Sequence, residues 1–196
     1  TFPDIQHGRA LIAGAFGASA LVVQIEYLRG AMVVSDGGAL AVGAALAAWL
    51  TMICAGSLAG TLLDRFIAHP RRVLCITGIL ALPSAVFLLF HLVSFRQSAG
   101  LIPGLIASPS AVFRRCLIAC LPYCFCIGLS FPLISRLTSP EHAKASVFST
   151  DRVLGAVWAA EALGSFLAGI VFTFMLAGYT SPASNVLFFG ALPALA

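Results

Sequence analysis

The chain is 196 residues long, 60% hydrophobic and 9% charged, with a mean hydropathy of +1.03 and a formal net charge of +4. Such usage lies far outside that of soluble domains and excludes an ordinary water-soluble globule. The positive charge is too small and too scattered for a nucleic-acid footprint, so nucleic acid is not an expected partner.

Charge is confined to the joints between long apolar runs. Leu74 to Phe95 and Cys116 to Ser135 each contain 20 or more residues without Lys, Arg, Asp or Glu, Gly37 to Leu63 contains 27, and Ala162 to Ala196 contains 35. A hydrocarbon core about 30 Å thick is crossed by roughly 20 apolar residues of helix. The expected fold is therefore an all-α, polytopic transmembrane bundle of about six spans, forming a single domain over residues 1–196. The first residue is not Met and the last lies inside an apolar run, so processed ends or a piece of a longer polypeptide is expected.

In chain order, residues 10–33 read as the first helix, ending near Gly30, before the turn Ser35-Asp36-Gly37-Gly38. The second helix is predicted from about Ala39 to Leu63. A basic loop follows, with Asp64, Arg65, Arg71 and Arg72. The third helix covers about 73–95. Residues 96–113, with Pro103 and Pro109, read as a long apolar connection at the membrane interface. The fourth helix is predicted from about Arg114 to Arg136, with Pro122 and Pro132 expected to kink or break it. The polar loop Thr138 to Thr150 precedes a fifth helix, from near Asp151 to Gly178, and Ser181-Pro182 opens a sixth span.

Basic residues mark the cytoplasmic side of a membrane protein. With the N-terminus inside, that side holds Arg9, Arg65, Arg71, Arg72, Arg136, Lys144 and Arg152, and the other holds Arg29, Arg96, Arg114 and Arg115. Seven against four predicts a cytoplasmic N-terminus, in a multi-pass protein of a bacterial inner membrane.

Small residues are spaced for close helix contact. Gly56 and Gly60 form a GxxxG, Gly164 and Ala168 a small-xxx-small pair, and Gly14 and Gly17 lie on a small-residue stripe of the first helix. Such positions let helix backbones approach within a chain. The same pattern permits a homo-oligomer.

Ionisable groups inside spans carry the functional expectation, because each must be paired, face a cavity, or act. Glu26 and Arg29 are three apart and share a helix face. Glu161 falls ten residues after Asp151, ~15 Å along the helix and near the bilayer midplane, where a carboxylate costs at least ~2.5 kcal/mol. It is expected to face the bundle interior. Cys116, Cys120 and Cys124 form one stripe, read as apolar packing rather than a metal site. His91 is the single histidine deep in an apolar run, which does not supply two haem ligands. No metal or cofactor is expected in this chain; a quinone or haem would come only through partners. Nothing in the sequence reads as a self-contained enzyme.

Two family resemblances appear. Gly60-Thr-Leu-Leu-Asp64-Arg65 followed by Arg71-Arg72 is similar to the loop between helices two and three of major facilitator transporters, which implies a gate-like role for Asp64 and Arg65. A broader one covers residues 14–170. Gly17-Ala-Ser-Ala-Leu-Val-Val-Gln-Ile-Glu26-Tyr-Leu-Arg29, Gly56-Ser-Leu-Ala-Gly60 with Asp64-Arg65, Gly128-Leu-Ser-Phe131-Pro132-Leu-Ile-Ser-Arg136, and Val157-Trp158-Ala-Ala-Glu161-Ala-Leu-Gly164 together resemble the membrane domain of bacterial spermidine synthase-like proteins. Glu161 stands where that family commonly carries Asn. The resemblance implies the membrane module and not the polyamine chemistry, whose soluble domain has no counterpart in these residues. It also makes Gly56, Gly60, Gly128, Pro132 and Gly164 helix-packing positions.

The expected function is thus a non-catalytic membrane module or anchor subunit, working with membrane or soluble partners. Glu26, Arg29 and Glu161 would be its interior polar sites. Two alternatives stand beside it. In a small-solute transporter or half-transporter, of polyamines for example, Glu26 and Glu161 would supply charge, and Tyr27 and Trp158 cation–π walls. A membrane subunit of a quinone- or cytochrome-linked complex is the other.

Overall fold

The computed structural model describes residues 2–36, 38–63, 66–98, 108–138 and 147–196. Asp64 and Arg65 of the gate-like loop, half of the 96–113 connection and most of the loop after Thr138 lie outside the described residues.

An uncharged run in lipid has to satisfy its own backbone hydrogen bonds, and a helix does so within one segment. Accordingly the described residues form seven helices and no strand: α1 Phe2–Val34, α2 Ala39–Leu63, α3 Pro70–Val93, the short α4 Phe95–Ser98, α5 Pro109–Thr138, α6 Val147–Val171 and α7 Pro182–Leu195. Five stretches are long and apolar enough to cross a membrane: Ala10–Val34, Ala39–Leu63, Pro70–Val93, Pro109–Thr138 and Leu154–Leu176. The sixth apolar helix, α7, has 14 residues, ~21 Å of rise, and is shorter than a full crossing.

Several boundaries differ from the sequence reading for identifiable reasons. Gly30 does not end α1. It lies inside the helix, where a Cβ would sit 2.8 Å from Leu92 Cδ2, so this glycine serves close contact with α3. The chain turns instead at Ser35, whose hydroxyl donates back to the Ala31 carbonyl at 2.7 Å, and at Asp36, with φ of 53°. Asp is among the few side chains that tolerate this left-handed conformation. Helix α5 begins five residues before Arg114. Pro109 occupies its first turn, where no N–H is needed, and Ser108 Oγ accepts from Ala111 N at 3.3 Å. Pro122 and Pro132 lie inside α5 and Pro83 inside α3, and none of the three breaks its helix. Past α6 the backbone widens into a π turn over Phe172–Leu176, with Ala177 N donating to Phe172 O at 2.8 Å.

The predicted small residues set the packing. α2 and α5 run parallel and touch backbone to backbone: a Cβ at Gly56 would overlap the Phe125 carbonyl, and one at Gly128 the Ile53 carbonyl. One turn on, Gly60 receives the Pro132 ring, with 2.5 Å between its would-be Cβ and Pro132 Cγ. α1 and α6 meet through Gly14 on Gly164 and Gly17 on Glu161. α3 and α7 meet through Gly78 on Pro193 and Gly190 on Ala85. Without a hydrophobic driving force between helices in lipid, such close van der Waals contact is what holds them.

Helix α1 is packed on by α2, α3, α5, α6 and α7 and forms the centre of the bundle. Between α1, α2 and α5 lies an aromatic column. Trp49 sits 5.5 Å from Tyr27 and 5.9 Å from Tyr123, ring centre to ring centre. Both phenols are fully buried, and each finds a partner: Tyr27 donates to the Ala45 carbonyl at 3.1 Å, and Tyr123 bonds Ser19 at 2.8 Å. Replacing Tyr27 by Phe is expected to lower stability by about 1 kcal/mol, the net worth of one such bond, as measured by denaturation in detergent.

Candidate functional site

Glu26, predicted to pair with Arg29, is 1% exposed. Its Oε1 lies 3.5 Å from Arg29 Nη1. That separation exceeds the ~2.7–2.9 Å of a charge-assisted hydrogen bond, and the Arg29 side chain is 43% exposed. The closer partner comes from the far end of the chain: Asn185 Nδ2 donates to Glu26 Oε1 at 2.6 Å. Asn185 is itself buried, and its Oδ1 accepts from Thr180 Oγ1 at 2.6 Å. Thr180 Oγ1 also lies 2.8 Å from the Leu176 carbonyl, its second acceptor.

Local sequence explains the placement. Ser181 caps α7 by accepting from Ser184 N at 3.2 Å, and Pro182 follows at the first helical position, a combination that fixes a helix start. Asn185 then lies one turn into α7, on the face that meets α1, while the π turn sets the Leu176 carbonyl opposite Thr180. Glu26 Oε2 is buried without a hydrogen-bond partner among the described residues. The arrangement is a polar chain, Thr180–Asn185–Glu26, crossing an apolar interface between α7 and α1, with Arg29 on its exposed side.

A second polar group lies at the same end of the bundle. Arg115 Nη2 donates to the His91 carbonyl at 3.2 Å and to Ser94 Oγ at 3.1 Å, and its guanidinium sits 5.9 Å above the Phe95 ring. The His91 ring stacks on Phe87 at 5.3 Å. Arg115 also lines a cavity of about 10 Å³ with Ser35, Leu92, Phe95, Val112 and Cys116, room for a single water.

The remaining predicted residues do not converge on Glu26. Tyr27 points into the aromatic column, against the Cys116 and Cys120 thiols. Cys116, Cys120 and Cys124 are buried in α5. Glu161 lies seven residues into the Leu154–Leu176 stretch and is half-buried at the α1–α6 seam, against Gly17. No described residue pairs with its carboxylate. Gly17 and Glu26 are nine residues apart on α1, ~13 Å along the helix. Trp158 is 59% exposed on the outer face of α6, edge-to-face with Phe131 at 5.2 Å. Tyr27 and Trp158 therefore do not share a wall. Asp64 and Arg65 lie outside the described residues; at that end Arg136 donates to the Ile67 carbonyl at 3.1 Å, tying α5 to the loop between α2 and α3.

Sequence reasoning missed Asn185, Thr180 and Arg115. Asn185 had a visible signal, an amide followed by an uninterrupted apolar run to Ala196. No family model matches the chain, and neither a curated protein nor a solved structure does.

Proposed function

We propose that this chain is a non-catalytic, multi-pass membrane module that works against a partner domain or subunit, with α7 as a sixth, shortened pass and the N-terminus cytoplasmic. The observation that carries the reading is the exposure of α6. Only 11% of its apolar stretch is buried, against 50% of that of α5, yet it carries Glu161 within the membrane-spanning part. A half-buried acid with which no described residue pairs costs at least ~2.5 kcal/mol at that depth when ionised. A partner segment that supplies a hydrogen-bond donor removes that cost and covers Leu163, Phe166 and Leu167, which are more than half exposed. The four-segment resemblance to the spermidine synthase-like membrane domain supports the same reading, because there the membrane part accompanies another domain. The up-and-down course of the helices puts Arg71, Arg72 and Arg136 at one end and Arg29, Arg114 and Arg115 at the other, three against three, so the cytoplasmic N-terminus rests on the sequence count of seven against four.

The test is site-specific photocrosslinking in native membranes. A photoreactive side chain at Phe166 or Trp158 is expected to capture one defined protein in a Glu161-dependent manner. The same probe at Phe90, 72% exposed on α3, is expected to mark lipid. Equal lipid labelling from α6 and α3, unaffected by Glu161→Gln, would remove the proposal.

A further inference from the structure

We propose that the cavity beside Arg115 is a binding site for one ordered water molecule, which bonds Arg115, Ser35 and Cys116 and so joins the end of α1 to α5. A guanidinium carries five N–H donors in a fixed plane and accepts nothing. Two of these donations from Arg115 are met on α3, where Nη2 lies 3.2 Å from the His91 carbonyl and 3.1 Å from Ser94 Oγ. The Phe95 ring, 5.9 Å from the guanidinium carbon, holds the group from one face. Arg115 Nε is buried and has no acceptor among the described residues. Folded proteins match nearly all such donors, with protein groups or with ordered water, because an unmatched one forfeits its hydration.

The cavity supplies the match. Ser35 lines it from the end of α1, Phe95 from α4, and Val112, Arg115 and Cys116 from α5. Its volume of about 10 Å³ is at the lower limit for one water and leaves no room for a larger solute. Ser35 is buried and gives its own hydroxyl hydrogen to the Ala31 carbonyl at 2.7 Å. Its oxygen keeps lone pairs that call for a donor. Cys116 Sγ, also buried, is a weak acceptor. A water in this space accepts from Arg115 Nε–H and gives one hydrogen to Ser35 Oγ and the other to Cys116 Sγ. Three bonds are the usual number for a buried water.

The position of Arg115 in the membrane gives such a water a source. Arg136 stands in the last turn of α5, ~31 Å along the helix from Arg115. That span equals the thickness of the hydrocarbon core, about 30 Å. With Arg136 at one boundary, Arg115 reaches the other, where the hydrated headgroups begin. The water then fixes the guanidinium from a second side, and α1, α3 and α5 are tied through one residue.

X-ray radiolysis of the unaltered protein in lipid bilayers tests this, because a hydroxyl radical formed from a bound water modifies the side chains that touch that water. Cys116, Cys120 and Cys124 make an internal comparison. All three are almost completely buried on one stripe of α5, and Cys116 lines the cavity whereas the other two do not. Millisecond exposure followed by mass spectrometry is expected to show Cys116 oxidised several-fold faster than Cys120 or Cys124. Val112→Ile adds a methylene group to the cavity wall and is expected to bring Cys116 down to the rate of the other two. Equal rates for the three thiols in the unaltered chain, whether slow or fast, would overturn the proposal. So would a fast Cys116 that Val112→Ile leaves unchanged. The comparison among the thiols decides the matter in the native chain, even where Val112→Ile fails to fold.

Discussion

Replacing Gly128 by leucine is expected to separate α2 from α5 and to remove the folded protein from detergent extracts. A Cβ at this position would overlap the Ile53 carbonyl and sit 3.0 Å from Ser57 N. Both obstacles are helix backbone, which cannot rotate aside as a side chain does. Overpacking costs ~1–3 kcal/mol where side chains can adjust, and more where they cannot; this substitution belongs at or beyond the top of that range. The contact is reciprocal, since Gly56 meets Phe125 O in the same way, so widening the interface also loses the dispersion contacts of both helices. Gly43→Leu is the control, because nothing lies within 4 Å of a Cβ there. Size-exclusion profiles of the two variants in mild detergent should differ sharply: aggregated or absent for Gly128→Leu, wild-type-like for Gly43→Leu. A monodisperse Gly128→Leu protein of normal thermal midpoint would show that α2 and α5 do not meet here.

The second large effect is expected at Asn185. Its change to leucine removes the closest partner of a fully buried acid and strands Glu26 in an apolar interface. An orphaned buried polar group costs ~1–3 kcal/mol. The double variant Asn185→Leu/Glu26→Leu should recover most of that loss, because replacing both partners by apolar groups of similar size leaves nothing unsatisfied. The pair therefore tests the contact rather than the residue. A double variant as unstable as the sum of two singles, with no coupling in the cycle, would mean that the two side chains do not bond.

Sequence and structure agree where one physical constraint acts alone. Uncharged runs longer than a bilayer made the spanning helices legible, because lipid leaves the backbone no alternative. Glycines at Gly56, Gly60 and Gly164 read as contact points, since small residues in membrane helices admit a neighbour, and Gly128 was marked through the resemblance alone. Which helix each would meet was not readable: that Gly128 faces Ile53 depends on the pairing of segments far apart in the chain. Gly30 was misread as a helix end because glycine ends helices in water, whereas here it admits Leu92. Helix α5 starts at Pro109 and not near Arg114, because Ser108 and Pro109 together make a local helix start.

The site divides in the same way. Glu26 and Arg29 are three apart, so their proximity followed from helix geometry alone. Asn185 lies 159 positions from Glu26, and no local rule connects them. Glu161 was expected inside the bundle, yet it stands at a seam, because the residues around it on α6 are mostly turned away from α1. A helix without a charge-bearing face has no strong pattern by which to tell the inward side from the outward one, so the outward position of Trp158 was not legible.

The proposed partner of α6 would complete a bundle whose sixth helix is mostly uncovered. Native mass spectrometry of the protein extracted in a mild detergent, with a visible spectrum of the same sample, tests it most directly. A stoichiometric companion chain is expected, lost from the Glu161→Gln/Phe166→Ala variant, with any haem or quinone signal leaving with it. A colourless, monodisperse species containing this chain alone, of unchanged mass in the variant, would contradict it.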